Sequence, residues 1–331
     1  FAKIKNDEII FTINSGQSQN LNIKNGIIKL KDLDSDFENA DVFLEIFSSN
    51  QDVIKYLDIS PINRKNFSKL RNIRGDTKID LNLKFPLLVD LPTDKIIYES
   101  NVAIVDSTFQ DIFNNHDLND FYLNIQINNS KVSYNGGGNV FNSKTEFSGE
   151  QSNINEGFTD EIKGKYILKR SFSEYFFPEG DFIIQGESEI LYNIIEDDNG
   201  FSKIEGLGNL ENLNLKSDFL GPNLDFNNGK LRFLIRPYDN SFSGFADIKT
   251  NNLNVEVNSI FNLTKLIELD VQTFKSPKQD FNLKYEGENN KFSINADKLS
   301  LDSIDIFEDD NLKIENFELD LKINDFKIGD M

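Results

Sequence analysis

The chain has 331 residues and carries 55 acidic against 35 basic side chains, which gives a net charge of −20. A negative charge of this size repels nucleic acid phosphates and anionic lipid surfaces, so we expect no nucleic acid partner. The chain contains no cysteine, which excludes disulfides and cysteine-bound metals, and no apolar run of about 18 residues that would form a membrane-spanning helix.

Alternation of apolar and polar residues predicts strands along most of the first half of the chain. The clearest case is Thr77–Phe85, in which every second residue is apolar without exception. One helix is predicted at Gln51–Leu57, with Ser49 or Asn50 as its N-terminal cap. The strands predicted in this half are Glu8–Ile13, Asn20–Leu30, Ala40–Phe47, Thr77–Phe85, Lys95–Val105, Phe121–Ile127, Lys131–Tyr134 and Asn139–Phe147.

The polar, glycine-containing segment Gly149–Gly164 predicts a domain boundary or a long loop, and alternation resumes after it. Single helical turns are predicted at Phe109–Asn114 and Ser171–Phe177, while the apolar spacing of Ile260–Leu269 fits a short helix or a strand. The strands predicted in this half are Lys165–Lys169, Asp181–Tyr192, Ser202–Ser217, Lys230–Ile235, Phe242–Lys249, Asn252–Asn258, Asp280–Glu286, Lys291–Ala296, Leu299–Ile306 and Leu312–Phe326.

A ten-residue pattern occurs three times and reads Leu-x-(Ile/Phe)-x-Asn-x-x-(Ile/Leu)-x-(Leu/Phe). Because the Asn and its neighbour interrupt the period of two, we interpret each copy as two strand ends joined by a turn. Recurrence of one hairpin unit predicts a long sheet built by repetition, with the three Asn residues at equivalent corners. The copies are Leu21, Ile23, Asn25, Ile28 and Leu30; Leu224, Phe226, Asn228, Leu231 and Phe233; and Leu312, Ile314, Asn316, Leu319 and Leu321.

Every predicted strand places apolar side chains on one face and polar side chains on the other. Such a sheet must cover its apolar face, and open sheets of more than about ten strands rarely stay flat. The residues leave three arrangements open: two packed sheets, a closed sheet, or a sheet folded lengthwise into a trough. In a trough, the apolar stripe would form a continuous hydrocarbon lining with a polar outside.

The sequence shows no cluster with the spacing of a catalytic or metal site, so we predict a non-enzymatic protein with no catalytic residues, metal or cofactor. The single histidine, His116, lies in a polar segment typical of a solvated surface. The Gly136–Gly138 run lacks the Lys-Ser or Lys-Thr of a phosphate-binding loop, and we interpret it as a hairpin turn. The acidic runs Glu196–Asn199 and Glu308–Asn311 lack calcium-loop spacing and are interpreted as solvated turns.

The segment Arg74–Leu87 reads Arg-Gly-Asp-Thr-Lys-Ile-Asp-Leu-Asn-Leu-Lys-Phe-Pro-Leu. It resembles the G-x-x-x-x-x-L-x-L-x-x-P-L strand of the YhdP-like branch of the AsmA superfamily. A short predicted helix, Asp52–Leu57, and then Pro61 precede this segment, and a strand at Asn101–Val105 follows it, as in that family. Residues 296–328 resemble the start of the AsmA-like C-terminal region. The resemblance covers residues 20–150. The remainder of the chain is similar only in its general pattern of alternating strands.

The resemblance implies an all-β fold, an elongated repetitive antiparallel sheet folded lengthwise into a U-shaped hydrophobic groove, with a few short helices. Residues 1–150 would form a YhdP-like β-groove region, and residues 151–331 would continue the groove into the start of the AsmA-like C-terminal region. The family implies a periplasmic protein that is anchored in the inner membrane and carries phospholipids to the outer membrane of Gram-negative bacteria. Because the chain opens at Phe1 without an initiator Met, we expect it to be an internal fragment whose anchor lies outside it.

The partners implied are phospholipid acyl chains, together with the inner and outer membranes through parts of the protein outside this chain. Two other hypotheses stay open: a structural or adhesive β-solenoid with a plain apolar core, and a carbohydrate-active enzyme on a β-scaffold, against which the absence of Trp counts. The residues expected to line the groove are Ile79, Leu81, Leu83, Phe85, Leu123, Ile125, Ile127, Phe281, Leu283, Tyr285, Leu319, Leu321 and Ile323.

Overall fold

The computed structural model consists almost entirely of strands with two short helices, which confirms the predicted all-β fold with few helices. It describes residues 2–5, 7–35, 38–59, 72–113, 116–152, 160–176, 182–197, 200–217, 221–262, 265–300 and 318–327. The chain divides into two compact units: unit 1 is residues 1–140 with 144–162, and unit 2 is residues 141–143 with 163–331.

The strands of unit 1 are β1 (Ala2–Lys5), β2 (Glu8–Ile13), β3 (Gly16–Ser18), β4 (Leu21–Lys31), β5 (Asn39–Ser49), β6 (Ile73–Pro86), β7 (Ile97–Phe113), β8 (His116–Asn128), β9 (Lys131–Val140) and β10 (Ser143–Ser152). Strand β11 (Asp160–Lys169) crosses the division between the units. The strands of unit 2 are β12 (Ile183–Asp197), β13 (Gly200–Asn209), β14 (Leu213–Ser217), β15 (Gly221–Asp225), β16 (Lys230–Tyr238), β17 (Ser241–Lys249), β18 (Asn254–Phe261), β19 (Leu266–Lys275), β20 (Asp280–Glu286), β21 (Lys291–Ser300), β22 (Glu318–Ile323) and β23 (Phe326–Lys327).

The two helices are α1 (Asn50–Ile59) and α2 (Arg170–Phe176), and both confirm the helical segments predicted at those places. Helix α1 begins with a side-chain cap, because the backbone N–H of Asp52 donates to Ser49 Oγ at 3.2 Å. The segment Phe109–Asn114, which was predicted to be a helical turn, instead continues strand β7 as far as Phe113, and Asn114 lies outside the described residues.

Unit 1 is an antiparallel meander in which β1, β2, β4, β5, β6, β7, β8 and β9 pair in that order, with β3 also on β4. Residues directly opposite each other on paired strands share a face of the sheet. Leu81 lies between Leu44 of β5 and Ser100 of β7, and Ile79 lies between Ile46 and Val102. The apolar residues of successive strands therefore meet on one face.

The interpretation of the ten-residue pattern as a hairpin is wrong. Asn25 lies inside strand β4, at a bulge where Lys24 and Asn25 together oppose Glu45 of β5. Asn228 does occupy a turn between β15 and β16, with φ 56°, and Asn316 lies outside the described residues. A bulge and a turn each add a residue that interrupts the alternation of apolar and polar positions. The ten-residue pattern alone therefore does not distinguish a bulge from a turn.

The prediction of a hairpin turn at Gly136–Gly138 is also wrong, because these glycines lie buried inside strand β9. A Cβ atom on Gly137 would stand 2.5 Å from the carbonyl oxygen of Thr145, and one on Gly136 would stand 2.7 Å from the ring of Phe147. The glycines are therefore required because side chains and backbone of the neighbouring strands pass directly over β9.

Two of the predicted strands are interrupted by turns. The turn after β9 falls at Phe141 and Asn142, both with positive φ, and divides the predicted strand Asn139–Phe147. The predicted strand Ser202–Ser217 divides into β13 and β14, with Leu213 N–H donating to the Leu210 carbonyl across the turn at 2.9 Å. Of the segments predicted at the C-terminal end, residues 301–317 lie outside the described residues.

Unit 2 contains an antiparallel series in which β12, β13, β16, β17, β18, β19, β20 and β21 pair in that order. Strand β22 then pairs parallel to β21, which is an exception to the predicted antiparallel arrangement. Strands β14 and β15 form a separate hairpin that pairs with the first residues of β12. We call this hairpin, with the turn residues 210–212 and 226–229 on either side, the capping hairpin.

A repeat that the sequence interpretation missed relates the two units. Residues 73–79 read Ile-Arg-Gly-Asp-Thr-Lys-Ile, and residues 184–190 read Ile-Gln-Gly-Glu-Ser-Glu-Ile. Each segment opens a long strand that follows a short helix, and each places a buried hydroxyl, Thr77 or Ser188, in that strand. The two units are therefore built on a common strand–helix–strand plan.

The glycines of this repeat have positive φ, 136° at Gly75 and 88° at Gly186, and a Cβ at either position would collide with Ser107 or Asn212. We expect Gly75→Ala and Gly186→Ala each to lower the free energy of unfolding by about 1–3 kcal/mol. Gly16→Ala is the control, because its Cβ would meet only ordinary contacts at 3.7 Å or more. Thermal melting checks this, and equal melting of all three variants would contradict it.

Candidate functional site

One face of the unit 2 sheet carries apolar residues on nine successive strands, β12, β13 and β16 to β22. Direct pairing places these residues in three rows that run across the strands. We call them together the unit 2 apolar face. The first row is Tyr192, Gly206, Phe233, Ala246, Val257, Val271, Leu283, Ile294 and Leu321; the second is Ile190, Gly208, Leu231, Ile248, Val255, Phe274, Phe281, Ala296 and Ile323; the third is Ile194, Ile204, Ile235, Gly244, Ser259, Leu269, Tyr285, Phe292 and Leu319.

The structure brings the predicted lining residues of each unit onto a common face. In unit 2, the predicted residues of β20 and β22 lie on either side of β21 in these rows, where Ile294 contacts both strands through its pairing with Leu283 and Leu321. In unit 1, Val102 of β7 lies directly between Ile79 and Ile125, and Ser100 lies between Leu81 and Ile127. The remaining predicted residues of unit 1 are Leu83 and Phe85 of β6 and Leu123 of β8, which pair with Tyr98, Ala40 and Ile104 respectively.

The side chains of the unit 2 apolar face are mostly half-buried. Along β20, half-buried Phe281, Leu283 and Tyr285 alternate with exposed polar residues. On β22, Leu319 is 49% and Leu321 46% exposed. A packed protein core excludes solvent from side chains of this size, so most of the face lacks the burial of a filled core.

The largest cluster of buried side chains lies at one margin of the face, where the capping hairpin packs against it. The buried cluster there consists of Ile190, Leu210, Leu213, Leu224, Phe226 and Leu253. Leu231, Ile248, Val255 and Phe274 of the second row and Phe233 of the first row pack against this cluster. Among the described residues, none of the third row does. The capping hairpin therefore closes one margin of the face.

The opposite margin carries a line of phenyl rings, Phe201, Phe242 and Phe261, which we call the aromatic margin. Phe242 lies between the other two, with ring centroids 5.9 Å from Phe201 and 6.0 Å from Phe261. Phe242 pairs directly with Pro237 of β16 and with Phe261 of β18, so all lie on the side of the sheet that bears the three rows. All three rings are half-buried.

The other side of the unit 2 sheet is charged. Asp247 is 3% exposed there, and its carboxylate accepts hydrogen bonds from Arg232, at 3.0 Å from Nε, and lies 3.3 Å from Lys249 Nζ. Burial by itself would raise the pKa of Asp247, but the hydrogen bonds and charges of Arg232 and Lys249 outweigh it and hold that pKa below its ordinary value.

In unit 1, helix α1 and a buried polar cluster close one end of the apolar face. Ile54 of α1 is buried, and the Asn50 side chain at the start of the helix contacts Ser107 Oγ at 3.5 Å and hydrogen-bonds to Thr77. Thr77 is in phase with Ile79 along β6, so it marks where the apolar face gives way to polar contacts. The polar side chains there are buried and mutually hydrogen-bonded.

Within the described residues, no group of three or more His, Cys, Asp or Glu side chains could hold a metal ion. Two shallow depressions lie on the charged side of unit 2, and both include Glu268 and Asp270. His116 opens strand β8, where it pairs with Phe113 of β7. In the part of the chain that the structure describes, no helix is long and apolar enough to cross a membrane.

No family model, curated protein or solved structure matches this chain. The candidate site therefore rests on the geometry of the chain itself. Alternation of residues indicated which side chains share a face, but it gave no sign of the capping hairpin or of the aromatic margin. The signal for the hairpin was available in the turn residues 210–212, which interrupt the apolar phase between β13 and β14.

Asp247 provides a pH-dependent test of the charged side. A carboxyl group whose pKa is lower in the folded than in the unfolded state stabilises the fold above the unfolded value, about 3.9, and that stability is lost as pH falls through the folded value. We expect Asp247→Asn to lower the free energy of unfolding by about 1–3 kcal/mol at pH 7, because Arg232 and Lys249 lose their buried partner.

The difference between wild type and Asp247→Asn should shrink as the pH falls below about 4, since the carboxyl is then protonated first in the unfolded state and, at lower pH, in the folded state. Glu288→Gln is the control, because Glu288 is exposed in the β20–β21 turn. Denaturant titrations at pH 7 and at acid pH measure both variants. A difference from wild type that stays constant across this range would contradict the ion-pair explanation.

Proposed function

We propose that this protein is a non-enzymatic lipid-binding and lipid-transport groove whose apolar faces hold phospholipid acyl chains. The observation that carries the proposal is the unit 2 apolar face, which runs without interruption across nine strands while its side chains remain half-buried. Large exposed apolar surfaces on proteins mark sites for lipids, ligands or partners. Hydrocarbon chains of a lipid fit a surface that is mainly apolar, on which the polar groups of the three rows are the hydroxyls of Tyr192, Ser259 and Tyr285.

The length of the face favours transport over storage of a single lipid. Adjacent strands lie about 4.8 Å apart, so nine strands extend the face by roughly 40 Å. The hydrocarbon core of a whole bilayer, which is two acyl chains thick, measures about 30 Å. The face is therefore longer than one acyl chain, and a lipid bound at one place finds more of the same surface beside it.

Sliding along such a face requires little energy. Each methylene removed from water contributes about 0.8 kcal/mol, whichever apolar side chain it contacts. A tail that leaves one row position and enters the next exchanges equal contacts, so its binding energy stays nearly constant along the path. The repetition of Ile, Leu, Val and Phe on successive strands supplies this uniformity.

The wider setting is part of the same proposal. The resemblance of Arg74–Leu87 to the YhdP-like branch of the AsmA superfamily supports a periplasmic protein that carries phospholipids between the inner and outer membranes. That segment lies mainly in β6, whose apolar residues share the unit 1 face described above. Membrane attachment would come from a segment outside this chain.

A carboxylate placed on the apolar face should block lipid without unfolding the protein. We expect Leu283→Asp to reduce co-purified lipid at least tenfold, because a tail passing an unpaired charge loses several kcal/mol. Leu283 is half-buried, so water can solvate the new carboxylate in the lipid-free state. Mass spectrometry of organic extracts from the purified protein measures bound lipid, and thermal melting measures folding.

Asn282→Asp is the matched control, because it adds the same charge to the same strand on the other, exposed side. It should retain both lipid and fold. Unfolding of Leu283→Asp while Asn282→Asp stays folded would support a plain apolar core, as in a β-solenoid, and would contradict the groove.

A further inference from the structure

We propose that the aromatic margin of unit 2 binds the ammonium group of a zwitterionic lipid, of the choline or ethanolamine type. This inference rests on the proposed lipid-binding function and adds the class of head group that the groove accepts. The residues assigned are Glu196, Phe201, Phe242 and Phe261. The acyl chains of the same lipid would lie on the three apolar rows beside them.

The position of the head group follows from which margin is closed. The capping hairpin packs against the second row, next to the buried side chains of Leu210 and Leu253, which are 3% and 4% exposed. The aromatic margin lies at the other ends of the same strands, next to the turn at Asp239 and the turn at Gly287. A hydrated head group requires water, so it must lie toward this margin.

The geometry of the margin fits an ammonium group. The rings of Phe201 and Phe242 are inclined at 66° and those of Phe242 and Phe261 at 34°, so the three rings do not stack into a single plane. The faces of phenyl rings carry a negative quadrupole that attracts cations, which favours an ammonium group over a phosphate or hydroxyl head group at this margin.

A carboxylate completes the site. Glu196 pairs with Phe201 on the adjoining strand just after a bulge at Ile195 and Glu196. The contact of the Phe201 ring with Phe242 shows that Phe201 lies on the side of the three rows, and its partner Glu196 shares that side. It continues the alternation of Tyr192 and Ile194 on β12, and it is half-buried there. A carboxylate at the edge of the apolar face provides a counter-charge for an ammonium group.

The charges around this margin favour the same class of ligand. Asp239 and Glu288 lie in the bordering turns, and Glu286 ends β20 beside them. Lys291 at the same end is paired with Glu318 at 2.7 Å. Lys265 also lies in the turn after Phe261, but the acidic residues here outnumber it. With the net charge of −20, this distribution disfavours an anionic head group relative to a zwitterionic one.

The test compares lipids that share acyl chains and differ only in head group. The purified protein, stripped of lipid, is incubated with phosphatidylcholine, phosphatidylethanolamine or phosphatidylglycerol, and bound lipid is quantified by mass spectrometry. We expect the two zwitterionic lipids to be retained about fivefold or more over phosphatidylglycerol, in line with the strength of a cation–π contact with a carboxylate nearby. Equal retention of all three would overturn the inference and leave the lipid groove intact.

Single substitutions test which residues determine the preference for a zwitterionic head group. Phe242→Leu and Glu196→Gln should each reduce the ratio of phosphatidylcholine to phosphatidylglycerol about threefold, since one loses the central ring and the other the counter-charge. Phe245→Leu is the control, because Phe245 lies on the same strand as Phe242 but pairs with Leu234 and Asn258 on the other side of the sheet. It should leave the ratio unchanged, and a ratio altered by Phe245→Leu as much as by Phe242→Leu would overturn the assignment to the aromatic margin.

Two further outcomes are decisive. If no lipid of any class is retained by the folded protein, the proposed function fails and this inference fails with it. Soluble phosphocholine, which has the head group without the tails, should not displace bound lipid at equal concentration. Displacement by phosphocholine would overturn the assignment to a lipid and indicate a site for free choline compounds.

Discussion

The structure depends on one constraint, which is that successive strands keep their apolar residues on the same face of the sheet. Side chains alternate along a strand, so a slip of one residue would move an entire apolar set to the charged side. The bulge at Lys24 and Asn25 and the irregular pairing between Val271 and Phe274 both restore this phase where the strand would otherwise lose it. The continuous apolar surface, and any function that uses it, follows from this correction.

The apolar face of each unit continues across the strands and is closed at one end along the strands. Along the strands, unit 1 is closed at one end by helix α1 and its contact between Asn50 and Thr77, and unit 2 by the capping hairpin. Across the strands, the rows of unit 2 pass from β12 to β22. Under the proposed function, a hydrocarbon chain would move across the strands of each unit.

Alternation in the sequence predicted the strands well because it reports directly on a sheet with one apolar and one polar side. Strand β2 and strand β20 have the predicted bounds for this reason. The predictions failed at positions where contacts with neighbouring strands determine the local structure. Asn25 occupies a bulge because β5 continues past it, and Gly137 lies within a strand because Thr145 and Tyr122 pass too close for a side chain. The similarity of segments 73–79 and 184–190 was visible in the sequence. Only the structure shows that the glycine of each segment has a positive φ, which explains why glycine occurs there.

The claim that the apolar face contacts lipid is tested most directly by photo-crosslinking at neighbouring residues of β21. Ile294 lies in the first row and is half-buried, whereas Asn295 next to it is exposed on the other side. A benzophenone amino acid at position 294, introduced into protein produced in a bacterial cell envelope, should yield a covalent adduct with the mass of a phospholipid on irradiation. The same group at position 295 should yield none. Adducts at neither position, or equally at both, would contradict a lipid-binding face.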